Sequence, residues 1–377
     1  MKSIFKVLFL PFVLFLLFTQ CEKEPIINIP DRNFLNALIE LGVDKNGDGN
    51  INPTEAEAIL SIHVDGCGIS DLTGIEAFVN LDTLYCYGNQ LSHLDVSFNT
   101  SLKGLLCVYN QLSSLDVSNN PALEVLDCSY NRMSDLDLSN NKVLVGLGIS
   151  HNQLSSIDIT GNTELEVLWC TNNELAALDV SNNSKLRDLT CHVNPLTHLD
   201  VSNCTELAIL DCGFTNLTTL DVTNNLALVE LFCLGNQVSS LDVSNNEDLE
   251  ILYCSNNQLT SLDVTNNLGL LKLSCSGDSL FNLDVSNNAG LEYLNCSGNQ
   301  LTSLDVSNSK ILKELLCHSN QITSLDISNN EAIHTLWINN MPTLYEVCVW
   351  TLPFPPVDFD INWVDSPNVY FTTECSK

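Results

Sequence analysis

Residues 249–269 read LEILYCSNNQLTSLDVTNNLG, and residues 270–290 read LLKLSCSGDSLFNLDVSNNAG. The two stretches match at Leu249 and Leu270, Leu252 and Leu273, Cys254 and Cys275, Leu259 and Leu280, and again at Leu262-Asp263-Val264 and Leu283-Asp284-Val285. The same register extends both ways. Leu or Ile stands at 81, 102, 123, 144, 165, 186, 207, 228, 249, 270, 291, 312 and 333, which makes 13 repeats of 21 residues with no insertion. A degenerate 22-residue unit, 59–80, precedes them.

Counting each of those residues as position 1, position 4 is Leu in all 13 repeats, from Leu84 to Leu336. Positions 4 and 6 alternate with variable positions 3, 5 and 7, the period of a strand with one buried face. A lone coil has nothing against which to bury its leucines. Stacked coils bury them against identical neighbours, with each strand pairing to the next at about 4.8 Å. Thirteen coils predict a parallel sheet roughly 60 Å long at that spacing. A 21-residue unit leaves little room for a helix on the return side, so short extended segments and turns are expected there. The unit L-x-x-L-x-C-x-x-N-x-L resembles the leucine-rich-repeat family over about residues 59–344. That resemblance implies a solenoid with a parallel β-sheet on its concave face, a mostly extended and turn-rich convex side, and protein binding or adhesion at a bacterial cell surface.

Three rows of identical residues run along the stack. Position 6 is Cys in 11 repeats, and Ile149 and Ile338 replace it in two. The replacements show that the position wants a modest buried apolar side chain, which a free thiol supplies. Parallel thiols one strand apart converge poorly on a metal and give poor disulfide dihedrals. Position 9 is Asn in 10 repeats, placed to satisfy backbone groups where the chain leaves the strand. Position 15 is Asp in 12 repeats, from Asp95 to Asp326. We read that row as turn-forming and solubilising, with a weak divalent-cation stripe as the alternative. Cys67 and Cys204 fall at the Asn positions of their units and are expected to be unpaired.

Residues 44–55 read DKNGDGNINPTE and meet every defined position of D-x-[DN]-x-[DN]-G-x5-E, so they resemble an EF-hand calcium loop. Asp44, Asn46 and Asp48 are side-chain candidates, Asn50 offers its carbonyl, Asn52 acts through water, and Glu55 closes the shell. Asp31 is placed to cap a helix holding Phe34, Leu35, Leu38 and Ile39, and Asn52-Pro53 to start a second run from Glu55 to Leu60. Residues 31–58 are therefore expected to form a small helical N-terminal cap that binds Ca²⁺ and covers the first coil.

Composition and termini set the setting. The chain has 377 residues and a formal net charge of −32, spread along its length, which disfavours nucleic acid as a partner. Lys2, Lys6 and the apolar run Val7–Phe18 form a signal-peptide core, too short for a spanning helix, so residues 1–20 read as a signal peptide. Cys21 after it resembles the lipidated Cys of bacterial lipoproteins, with 21–30 as a linker. The expectation is an exported chain at the outer membrane or cell surface, touching membrane only through a lipid anchor. Ordinary secretion and a retained anchor are the alternatives. Residues 345–377 form a C-terminal cap, where Cys348 and Cys375 are expected to make one disulfide.

No nucleophile–base set, metal-protease motif or phosphate loop stands out, so the chain reads as a binding protein and not an enzyme. His151 and His192 are two coils apart, about 10 Å, too far to share a metal. Positions 3, 5 and 7 carry Tyr85, Tyr87, Trp169, Phe232, Tyr253, Tyr293 and Trp337, with Tyr109 at the edge. These aromatics, interspersed with acids such as Asp127, Asp188 and Asp211, are the candidate ligand contacts of a monomer. A protein ligand is the first reading and a surface glycan stacking on the rings is the second. The bland alternative is that the aromatics simply stack on one another and stiffen the sheet.

Overall fold

In the computed structural model, which describes residues 25–375, successive 21-residue units wind into one stack of coils. One short strand per coil builds a 15-stranded parallel sheet. Pairing is in register throughout: Leu231 lies opposite Leu252, and Leu252 opposite Leu273. The first strand, Ser61–His63, comes from the degenerate unit, and the last, Asp360–Asn362, from the C-terminal segment.

The core follows the repeat. Positions 1, 4, 6, 11, 14 and 16 are buried, as in Leu249, Leu252, Cys254, Leu259, Leu262 and Val264. The return side is mostly turns. Among the described residues, regular pairing there is confined to one bridge, Asp95 to Asp116, and to a three-stranded sheet, Ser324–Asp326, Glu346–Cys348 and Tyr370–Thr372, at the C-terminal end.

The Asn row acts as a hydrogen-bonded ladder. Asn173 Nδ2 donates to the carbonyls of Ile149 and Cys170 at 2.9 and 3.1 Å, and its Oδ1 accepts from Leu154 N at 3.0 Å. One amide thus ties two coils together at the point where the chain leaves the strand: Leu154 N gains its acceptor, and the two carbonyls are shared along the row, Ile149 O with Asn152 and Cys170 O with Asn194. The thiols of the Cys row are free and buried. Burial pushes them up, to about 12 for Cys107, Cys170, Cys233 and Cys296.

Both ends are covered. Helix α1 (Arg32–Glu40) is capped by Asp31, whose Oδ1 accepts from Asn33 N and Phe34 N. Its other oxygen accepts from Ser70 N at 2.8 Å and from the Ser70 hydroxyl, which ties the helix to the first coil. Helix α2 (Pro53–Glu57) opens on a capping box of Asn52 and Glu55 and is shorter than the run to Leu60 expected from sequence. At the other end Cys348 and Cys375 are bonded across a separation of 27 residues. Phe354 packs against Trp350, Phe359 and Phe371 over the last coil. No helix of the described residues is long and apolar enough to cross a membrane. The signal segment 1–20 and Cys21 lie outside the described residues.

Candidate functional site

With positions 4 and 6 turned into the core, positions 3 and 5 are left on the outer face of the sheet. The expected aromatics occupy that face but are not uniformly exposed. Phe232 and Tyr253, expected among the ligand contacts of the exposed face, are half-buried. Their rings meet edge to face at 5.4 Å, and Tyr293 reaches across the small Ser274 to within 6.2 Å of Tyr253. In-register pairing puts residues 21 apart side by side, so large rings there cover one another. Tyr85 is also half-buried, edge-on to His63 at 4.2 Å, whereas Tyr87 stands exposed. Trp337 sits near the C-terminal end, its Nε1 donating to Asp360 at 3.2 Å.

Trp169 stands apart from these. It is 45% exposed, and its Nε1 donates to Asp188 Oδ2 at 3.0 Å. The face beside it is bare, because the preceding coil carries Gly146 and Gly148 at positions 3 and 5. No other coil has glycine at both. A hollow of about 250 Å³ results, lined by Leu106, Val125, Val167, Trp169 and the two glycines, with the Asp127 carboxylate at its side. Asp127 leans over Gly148 so closely that a Cβ there would collide with its Oδ1. A second hollow of about 370 Å³ shares Asp127 and Trp169 and continues past Ser129, Ser150 and Thr171 to Tyr130 and His151.

Tyr130 and His151 were not singled out as ligand contacts from the sequence. They belong to position 8, where the backbone turns left-handed: Tyr109 has φ 54°, Tyr130 φ 55° and His151 φ 54°. Such residues disfavour that conformation. Here it is held by inter-coil bonds, such as Tyr130 N to Ser150 O at 2.8 Å and His151 N to Thr171 O at 2.8 Å. The turn swings three rings into a stack at the sheet edge, Tyr109 on Tyr130 at 4.0 Å and Tyr130 on His151 at 4.0 Å. Asn172 extends the line by donating its amide to His151 Nδ1 at 2.7 Å. Position-8 residues at exact 21-residue spacing are the signal that would have found them.

The return-side carboxylates are occupied locally. Asp242 accepts from Ser244 N at 3.0 Å, and Asp263 from the Thr265 hydroxyl at 2.6 Å and Thr265 N at 3.0 Å, and these bonds hold both acids below the usual carboxylate range. Among the described residues, the one group of three metal-ligating side chains whose atoms lie within 4.8 Å of each other is Asp326, Cys348 and Cys375, and two of those are the disulfide.

In the loop 44–55, Asp44 accepts from Gly47 N and Gly49 N at 2.7 and 2.9 Å, wrapping the backbone around its carboxylate. Gly49 takes φ 81°, as the sharp turn requires. Asp48 Oδ1 accepts from Asn50 N at 2.9 Å, and Asn46 Oδ1 accepts from Asp48 N. Glu55, at the start of α2, accepts from Lys45 N at 2.8 Å and from Asn52 N at 3.1 Å. The oxygens of Asp44, Asp48 and Glu55 share one loop but are not gathered within 4.8 Å of one another. The donor set, hard oxygens on a glycine-hinged loop, suits Ca²⁺.

No protein-family model and no curated protein matches the chain. Among solved structures, the functional domain of InlJ from Listeria monocytogenes, described as including a cysteine ladder, superposes with a TM-score of 0.81 and 31% identity over 86% of this chain and 77% of that one. A leucine-rich-repeat protein of Leptospira interrogans shares the fold with a TM-score of 0.72 at 22% identity, over 85% of this chain and 87% of its own. So does the internalin inlF of Listeria monocytogenes, with a TM-score of 0.69 at 20% identity, over 93% and 96%.

Proposed function

The chain belongs to the leucine-rich-repeat family, and from that premise we propose that it is a binding protein, not an enzyme, which takes a protein ligand on the outer face of its sheet. The observation that carries this reading is the exposed ring stack Tyr109–Tyr130–His151 beside the bare coil of Gly146 and Gly148. Aromatic anchors ringed by polar groups are the usual build of a contact hot spot, each worth roughly 2 kcal/mol or more on truncation. The stack favours a protein over a glycan. Tyr130 has both faces covered by its neighbours, and a sugar needs a free ring face. Trp169 remains open and keeps the carbohydrate reading as the second one.

We also propose that the loop 44–55 holds one Ca²⁺ that stiffens the N-terminal cap, through Asp44, Asn46, Asp48, Glu55, the Asn50 carbonyl and a water on Asn52. Export with a lipid on Cys21, monomeric and displayed at a bacterial surface, is the setting that fits this reading.

The test is to recover a protein bound by the full chain and titrate it against two variants. Tyr109→Ser with Tyr130→Ser should weaken it at least tenfold. Asp242→Asn with Asp263→Asn, on the return side, should leave it within about twofold. The reverse pattern would place the ligand on the wrong side of this reading. Saturable glycan binding with no protein bound would favour the carbohydrate alternative.

A further inference from the structure

We propose that the hollow floored by Gly146 and Gly148 seats a cationic side chain, Arg or Lys, of the protein ligand. This rests on the reading that the sheet face takes a protein, and it names what that face recognises.

The seat is built by register. Val125 and Val167 flank Gly146, and Asp127 and Trp169 flank Gly148, each pair directly opposite in the sheet. The two missing side chains leave a slot one coil wide, into which the Asp127 carboxylate leans from its Gly148 end. Its walls are apolar except for a single carboxylate. An apolar wall, an indole and one acid match a side chain with a hydrocarbon stem and a charged head. The stem lies along Val125 and Val167, and the head lies between the Asp127 carboxylate and the Trp169 ring.

Other occupants fit less well. An apolar side chain would desolvate Asp127 with no counter-charge, which is costly. An anion would meet Asp127 and, beyond the indole, Asp188. Among the described residues the Lys and Arg ion pairs are Lys103–Asp82, Lys185–Glu164, Arg187–Glu206 and Lys313–Glu292, so Asp127 has no cation of its own. Oδ1 of Asp127 accepts from Ser129 N at 3.0 Å, which fixes the carboxylate over the slot. The net charge of −32 draws a basic partner from a distance.

The probe is the peptide Ac-Gly-Arg-Gly-NH₂, with its citrulline counterpart as the neutral isostere. The readout is the ¹⁹F resonance of Trp169 in the full chain labelled with 5-fluorotryptophan, assigned by its loss in Trp169→Phe. The arginine peptide should shift that resonance saturably. Citrulline should need at least tenfold more peptide, and Asp127→Asn should raise the arginine Kd at least tenfold. Gly148→Leu should abolish the shift. Gly146→Val, which continues the column of Val125 and Val167 and so keeps the fold, should weaken it several-fold. Equal shifts from arginine and citrulline, or an arginine shift that survives Gly148→Leu and Gly146→Val, would overturn the proposal. So would a shift from methyl glucoside with none from arginine. Failure here is separable from failure of the binding reading: a protein ligand lost with the Tyr109 and Tyr130 variants but held at full affinity by Gly146→Val leaves the face standing and removes the seat.

Discussion

Trp169 and Asp188 are joined across adjacent coils, the indole Nε1 donating to the Asp188 carboxylate at 3.0 Å. The ring that walls the hollow is thereby held upright by the acid of the next strand, and Thr190 in turn donates to the same carboxylate at 3.2 Å. Asp188→Ala should free the ring, broaden the Trp169 resonance and weaken the arginine peptide about three- to tenfold, whereas Asp188→Asn keeps an acceptor and should lose less. Unchanged affinity in Asp188→Ala would show that the ring needs no anchor.

The Asn ladder predicts a contrast within one coil. Asn173→Ala removes three hydrogen bonds of 3.1 Å or shorter and a fourth, longer one to Thr171 O, and should cost about 3 kcal/mol, at roughly 1 kcal/mol for each of the three short bonds. Asn182 makes one exposed bond to Thr160 O at 3.1 Å, and Asn182→Ala should cost less than about 1 kcal/mol. Urea unfolding of both would check the ranking.

Asp278 is the acid in that ladder. Its Oδ1 accepts from Leu259 N, as an Asn of the row would, and also from Asn257 N, but Oδ2 lies buried without a partner where other coils present an amide donor. Burial raises its pKa to about 6. A raised carboxylate stabilises the fold fully below its unfolded pKa of about 4 and loses that contribution as pH rises through about 6. Stability should therefore fall between pH 4 and 6 by up to about 3 kcal/mol from this group. Asp278→Asn restores the donor toward the carbonyls of Cys254 and Cys275, so it should raise Tm at pH 8 and flatten that slope. A lower Tm for Asp278→Asn at pH 8 would contradict this account.

Reduction should act locally. The Cys348–Cys375 bond closes a 27-residue separation and contributes roughly 3–4 kcal/mol in the chain-entropy account. Dithiothreitol should speed hydrogen exchange in the last coils and leave the first ones unchanged, because coils in a stack feel mainly their neighbours. In the native chain Cys67 should react with a thiol reagent at once, and the buried row only after unfolding. Immediate reaction of the row would contradict its burial.

Calcium should raise the stability of the cap by about 2.7 kcal/mol at one hundred times Kd. Glu55→Gln keeps an acceptor for the capping box and removes the charge, so it should fold yet bind calcium far more weakly in calorimetry. Equal binding by both proteins would remove Glu55 from the ligand set.

Much of this molecule is written in its repeat. A spacing of 21 residues that recurs 13 times carries the solenoid, its buried positions and the Asn and Cys rows, because each copy repeats the same local pattern. Asp31 as a helix cap and the pairing of Cys348 with Cys375 were likewise legible, since each depends on near neighbours or on exclusion from the rows. The site was not. Whether Phe232 points to water or onto Tyr253 depends on a ring one coil away, and Gly148 makes a hollow only because Asp127 and Trp169 flank it in register. The left-handed turn that stacks Tyr130 between Tyr109 and His151 runs against the residues' own preference, and inter-coil hydrogen bonds impose it. The repeat settles what lies inside each coil, and the lateral stacking of coils settles what its surface offers.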